Sequence, residues 1–217
     1  ENFYTGEMVR IPLDPQLTPP ENARRYFDRY GKLKRTKEAL SKLVEETRDE
    51  IRYLESVLRA LEMADSEEDL LQIREELAIA GYVRRKAEMR KPEKKSKPYH
   101  FLSSDGFDIY VGRNNLQNDE LTFKVANGGD WWFHAKKMAG SHVIVKTRGE
   151  EISDRTFEEA ASLAAHFSQG KGNVEVDYVQ RKHVKKPNGA KPGFVVYYTN
   201  YSMMASSNID GLRRVDD

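Results

Sequence analysis

From Tyr26 onward, apolar positions recur at alternating spacings of four and three: Tyr26, Tyr30, Leu33, Lys37, Leu40, Val44, Thr47, Ile51, Leu54, Leu58 and Leu61. Only Lys37 and Thr47 break the apolar run. A period of about 3.5 residues held this long predicts the seam of a coiled coil; a helix lying on a globular body would show a wider apolar stripe. The two polar positions are expected to set register at some cost in stability. Pro19-Pro20 followed by Glu21 marks the start, with proline and acid in the first turn.

Ahead of this helix, residues 7–13 alternate enough to predict a short strand, and Pro12, Pro15, Pro19 and Pro20 keep the chain extended. Behind it, Ser66 followed by Asp69 resembles a capping box. Leu70, Ile73, Leu77 and Ala80 then predict the inner face of a shorter helix ending at Gly81. At about 1.5 Å per residue that helix covers only part of the seam. The rest therefore expects a partner outside this chain, or a second copy of it.

After Pro98 the period changes. Phe101-Leu102-Ser103 and Phe107–Gly112 flank Asp105-Gly106 and predict a β-hairpin. Residues 114–126 read as a loop with a short helix, 131–135 and 141–146 as strands, and 154–168 as a helix burying Phe157, Ala160, Ala161, Leu163, Ala164 and Phe167. Residues 174–180 and 194–198 read as two further strands. Strands with segregated helices indicate an α+β class. The expected organisation is an extended segment at 1–19, helices at 20–82, a linker at 83–98 and a compact α+β domain at 99–217.

Charge divides the same way. Residues 1–81 hold 13 Lys/Arg against 18 Asp/Glu, a balance of −5, whereas residues 82–217 hold 23 against 17, a balance of +6. Residues 84–97 alone carry eight basic and two acidic side chains, suiting either a solvated linker or an arm along phosphates. The absence of cysteine excludes disulfides, Cys-type zinc sites and a thiol nucleophile, and fits a reducing cytosol. No apolar run reaches the roughly 18–20 residues of a membrane span. The start at Glu1-Asn2-Phe3-Tyr4 shows neither Met nor a signal peptide, as expected of a piece of a longer protein in the cytoplasm.

Two runs carry candidate chemistry. In Asp130–His142, three successive aromatics cannot all face one core, because alternate strand residues point to opposite faces. Trp132 and His134 would share one face, Trp131 and Phe133 the other, leaving one set for stacking on a base. His134 and His142 lack the Cys or carboxylate company of a metal site, and Ser141-His142 lacks a nucleophile elbow, so neither metal nor hydrolase chemistry is expected. In Arg181–Gly193, five cations sit between two strands, with Asn188-Gly189 as a turn and Pro187 and Pro192 as stiffeners. Such a loop fixes charge in place for a phosphate backbone, and it lacks the Lys-Ser ending of a nucleotide-binding loop. No cofactor is implied.

These runs, with Ser104-Asp105-Gly106, Gly112–Asp119 and Ala160-Ala161, closely resemble the NFACT-R domain of the RqcH/NEMF family, whose bacterial members are also called FbpA-type fibronectin-binding proteins. Residues 20–62 resemble the returning helix of that family's coiled-coil arm, and residues 7–15 the stretch before it. Ala139 and Trp131 stand where the family would have proline and a smaller apolar residue. The resemblance implies a ribosome quality control factor that binds large ribosomal subunits with stalled peptidyl-tRNA and recruits tRNA for template-free C-terminal tailing, with alanine in bacteria. It also implies that the NFACT-N domain tied to tailing lies upstream, so this fragment is expected to bind RNA without catalysing a reaction. Lys136, Lys137, Arg181, Lys182, Lys185, Lys186 and Lys191 are the candidates for phosphate contacts. Trp132, His134 and His142 are the candidates for base or sugar contacts. The alternative implied by the family's other name is a cell-surface adhesin that binds fibronectin, and self-association through the heptad seam is compatible with either.

Overall fold

A computed structural model describes residues 1–84 and 96–215. The chain divides into two compact units, Glu1–Asp49 and Glu50–Asp217, and the long helix α1 (Pro19–Met63) runs through the division.

In the first unit the chain before α1 is folded by side chains. Asn22, only 3% exposed, accepts from the Asp14 N–H at 2.8 Å and donates to the carbonyls of Asp14, Leu17 and Thr18. Tyr26 donates its hydroxyl to the Pro12 carbonyl at 2.6 Å, and the Thr18 N–H and hydroxyl both donate to Glu21. Residues 7–13 are therefore not the expected strand. Among the described residues they have no strand neighbour to pair with, and the backbone beyond them is satisfied by helix side chains instead. The seam residues of this unit, Tyr26, Tyr30, Leu33, Leu40 and Val44, are each at least 38% exposed. Thr47 turns its hydroxyl back to the Leu43 carbonyl at 2.8 Å.

The second unit holds the end of α1, with Ile51, Leu54, Leu58 and Leu61 exposed, and then α2 (Glu67–Ile79). The cap forms, with Ser66 accepting from the Asp69 N–H while the Asp69 carboxylate takes the Asp65 N–H and the Ser66 hydroxyl, and Gly81 follows the helix at φ 85°. The buried face of α2 is the expected one in part: Ile73, Leu77 and Ala80 pack on Tyr53, Val57 and Ala60 of α1. Ile73 is buried, but Leu70 is 51% exposed, and the other buried residues are Asp69, Gln72 and Glu76. They face the polar run 113–117. Arg113 pairs with Asp69, Gln72 Oε1 accepts from Asn114 at 2.8 Å and Gln117 at 2.9 Å, and Glu76 accepts from Asn115 at 2.8 Å. The helix turns its polar side inward because the facing groups can satisfy it.

The remaining elements are β1 (Tyr99–Leu102), β2 (Asp108–Val111), α3 (Asn115–Glu120) continued by a π turn (Leu121–Val125), β3 (Trp131–Ala135), β4 (Val143–Lys146), α4 (Asp154–His166), β5 (Asn173–Gln180), β6 (Val184–Lys185), β7 (Val196–Tyr197), β8 (Tyr201–Ser206) and β9 (Arg213–Arg214). Seven strands form one sheet in the order β8-β5-β3-β4-β2-β1-β9, every pair antiparallel, while β6 and β7 form a separate ribbon. The class is α+β, as expected. One sheet face packs on α4 through Phe133, Ala135, Val143, Val145, Ala160, Leu163 and Ala164. The other carries Trp132, Ile144 and Val179, covered by Leu121 of the π turn and Val184 of the ribbon.

Candidate nucleic-acid interface

Strand β3 sets the geometry, because alternate residues serve opposite layers. Trp131 and Phe133 lie against Phe157 of α4, at ring centroid distances of 4.9 and 5.9 Å. Trp132 and His134 lie on the other face, stacked at 5.6 Å. The division expected of the aromatic run is present, but neither aromatic set is free. Trp132 is 0% exposed, with the Tyr197 ring of the ribbon at 4.9 Å and His142 at 5.1 Å. His142 is 1% exposed, its Nδ1 at 2.8 Å from the Thr122 hydroxyl and its backbone N–H donating to Asn118. The expectation that Trp132 and His142 meet a base or sugar is therefore corrected: the basic ribbon that follows β5 folds over them. His134 remains partly exposed beside His142, with ring centroids 5.5 Å apart. Burial holds His134 down at about 4 and pulls His142 well below the usual imidazole range, with the neighbouring His134 adding to it.

The ribbon is firmly seated. In the 3-10 turn that leads into it (Arg181–His183), the Arg181 N–H donates to the Asp130 carbonyl at 2.8 Å and the Lys182 N–H to the Gly128 carbonyl at 3.1 Å, and within the ribbon Lys185 pairs with Val196. Its far end is clamped by Asp119, which receives the Gly193 N–H at 3.1 Å and pairs with Lys186. Gly193 sits at φ +77°, and a Cβ there would lie 2.4 Å from Asn115 Oδ1 and 2.9 Å from its Cβ. Asn115 has little room to give, since its amide donates to Ser56 and Glu76. Gly193→Ala is expected to cost roughly 2–4 kcal/mol in a urea melt, from left-handed backbone strain plus the clash.

The seven candidate cations divide into two kinds. Lys136 is held by Glu175 at 2.6 Å, with Asp177 at 3.8 Å. Lys186 is held by Asp119. Lys191 lies over the rings of Tyr53 and Tyr82 at 4.5 and 5.0 Å and donates to the Tyr82 hydroxyl. Arg181 donates Nε to the Thr122 carbonyl at 2.6 Å and covers the Phe123 ring at 5.2 Å. Lys137, Lys182 and Lys185 are exposed and have no acidic partner among the described residues. Lys185 stands on the anchored ribbon and Lys182 on the turn that leads into it, while Lys137 occupies a separate turn at φ 56°. The structure thus holds four of the seven cations in internal contacts and leaves three facing solvent. Most of the 84–97 linker lies outside the described residues.

Sequence reasoning missed the clamp and the hub behind the ribbon. Asp119 ends the polar run 114–119, and Asp130, 2% exposed, receives the N–H groups of Asn127 and Thr147 and the Lys146 ammonium. The only signal was the density of amides and carboxylates between two apolar strands.

Against known proteins, residues 1–96 match the family described as NFACT N-terminal and middle domains, and residues 97–199 match the NFACT protein RNA binding domain. The chain is 49% identical over 200 residues to the Rqc2 homolog RqcH of Streptococcus pneumoniae, covering 91% of this chain and 36% of that protein. It is 40% identical over 218 residues to the Rqc2 homolog RqcH of Bacillus subtilis, covering 96% and 37%. A solved structure, described as the C-terminal part of the fibronectin/fibrinogen-binding protein from Streptococcus suis, superposes with a TM-score of 0.76 at 46% identity, covering 87% of this chain and 76% of that one. The chain spans little more than a third of the length of the curated relatives it matches most strongly. Two family matches that together run from residue 1 to 199, and this level of identity, place the chain in the RqcH/NEMF family of ribosome quality control proteins with an NFACT RNA-binding domain.

Proposed function

We propose that this chain is the RNA- and ribosome-binding part of a cytoplasmic ribosome quality control factor, and that it works by binding without catalysing a reaction. In the whole protein it would hold large ribosomal subunits with stalled peptidyl-tRNA and bring tRNA for C-terminal alanine tailing. The observation that carries this reading is the ribbon with Lys182 and Lys185. The turn that carries Lys182 is bonded to Asp130 and Gly128, Val184 of the ribbon is buried beside Trp132, and both lysines are exposed without an acidic neighbour among the described residues. Rigid backbone with free charge suits a phosphate backbone, because little is lost in ordering it. The exposed heptad seam is read as the face that pairs with a further helix of the family's arm. Sedimentation of this chain tests the other occupant, a second copy of itself.

The experiment is binding of this chain to tRNA and to isolated large ribosomal subunits over a salt series. Affinity is expected to fall linearly on a log–log plot against salt, since each neutralised phosphate releases counterions. Salt-independent binding, or binding to fibronectin with none to either RNA, would overturn the reading.

A further inference from the structure

Arg181 is unlike the other cations of the ribbon. Its guanidinium lies over the Phe123 ring at 5.2 Å, and its Nε is fixed to the Thr122 carbonyl at 2.6 Å. Phe123 is half-buried and packs on the second core cluster, so the ring supports the guanidinium from the protein side. The two terminal nitrogens of Arg181 have no partner among the described residues and are not among the buried unpaired atoms, so they reach solvent. The surroundings are rigid as well. The π turn that carries Phe123 closes with the Ala126 N–H on the Leu121 carbonyl at 2.8 Å. The chain after it is tied down by Asp130, which holds Asn127, Thr147 and Lys146. Exposed Lys124 sits on that same turn, and Lys182 packs its side chain beside Gly128.

From this geometry we propose that Arg181, stacked on Phe123, is the flat surface on which an unpaired RNA base packs, with Lys124 and Lys182 taking the adjoining phosphates. The inference rests on the RNA-binding reading above and changes the role of Arg181 within it. A guanidinium grips phosphate through a fork of two N–H groups, either Nε with one terminal nitrogen or the two terminal nitrogens together. Here Nε is engaged by a carbonyl and the plane is fixed against a ring. What remains is the pair of terminal nitrogens at the rim and the outer face of that plane, the face being the part of arginine that stacks on bases. Trp132, the aromatic in the sequence that looks most suited to stacking, is sealed beneath the ribbon.

The test compares wild type, Arg181→Lys and Phe123→Leu for binding to an RNA hairpin whose unpaired loop carries 5-iodouridine, and to the same stem without a loop. Arg181→Lys keeps the charge and loses the plane. It is expected to bind the looped RNA about tenfold more weakly, to bind the bare stem as wild type does, and to leave the salt slope unchanged. Photocross-linking of wild type is expected to map to the segment of Arg181, where the base lies on the outer face of the guanidinium, and to be lost in Phe123→Leu, which removes the ring that holds that plane. A matching thermal midpoint shows that each variant is folded; if Phe123→Leu is unstable, Arg181→Lys alone decides, since it leaves the ring in place. Wild-type affinity in Arg181→Lys, with loop and stem bound alike, would overturn the platform while leaving RNA binding intact. Failure of wild type to bind either RNA would overturn the RNA reading itself, and the platform with it.

Discussion

Reversing the charge of Lys182 and Lys185 together is expected to weaken tRNA binding on the order of tenfold or more at moderate salt, and to reduce the salt slope by about two. Both ammonium groups are exposed, while their backbones are bonded to Gly128 and Val196, so the substitutions remove charge without loosening the ribbon. Thermal stability should stay within about 0.5 kcal/mol of wild type, as for surface sites with no internal partner. Lys186→Glu makes the contrast. It breaks the pair with Asp119 and places like charges together, so its main effect should be on stability. The comparison separates cations that hold the ribbon from cations that the ribbon holds out. Gel shift or fluorescence anisotropy over a salt series, with melts of each variant, gives both readouts.

The second large effect is on acid stability. His134 is held at about 4 against an ordinary 6.5, and His142 is also pulled well down, both by burial. Between those values the unfolded chain takes up protons that the folded chain refuses, so stability rises with pH across the window. It is fully present above about 6.5, declines as pH falls, and is lost by about pH 4. For His134 alone the difference is on the order of 3 kcal/mol, since one pKa unit is about 1.4 kcal/mol. In a domain of this size that corresponds to roughly 6–12 °C in the melting midpoint. Melts between pH 7 and 4, on wild type and His134→Gln, isolate the contribution from that of the carboxylates. An equal fall in both proteins would show that His134 is protonated in the folded state.

Much of the architecture follows from patterns that depend on near neighbours. The long helix, the Ser66–Asp69 cap, the hairpin at Gly106 and strand 131–135 are all set by local period and turn chemistry. The strand expected at 7–13 fails because strand formation needs a partner, which alternation alone does not supply. On α2 the expected apolar face holds at Ile73, Leu77 and Ala80 and fails at Leu70, for a related reason. Its apolar residues suggest Leu70 inside, whereas burial follows the hydrogen bonds that Asp69, Gln72 and Glu76 make with a run some forty residues away. Strands β8 and β9 carry little signal in the sequence. β8 is an edge strand with few β-branched residues, and β9 is two arginines long.

The candidate site shows the same limit. The sequence marks the aromatic run and the cationic run separately, and alternation along β3 separates Trp132 from Trp131 correctly. That one run folds over the other is a tertiary fact, and it decides that Trp132 and His142 are core. It also decides which cations are engaged. Charge alone cannot distinguish Lys185, facing solvent, from Lys186, one residue on and bound to Asp119.

The central claim is that this chain meets ribosomal RNA or tRNA through the anchored ribbon. A chemical footprint of the chain on large ribosomal subunits carrying peptidyl-tRNA tests it most directly. The account predicts discrete protections of the RNA backbone that vanish when Lys182 and Lys185 are changed to glutamate. Protections that persist unchanged in that variant, or none with the wild-type chain, would contradict it.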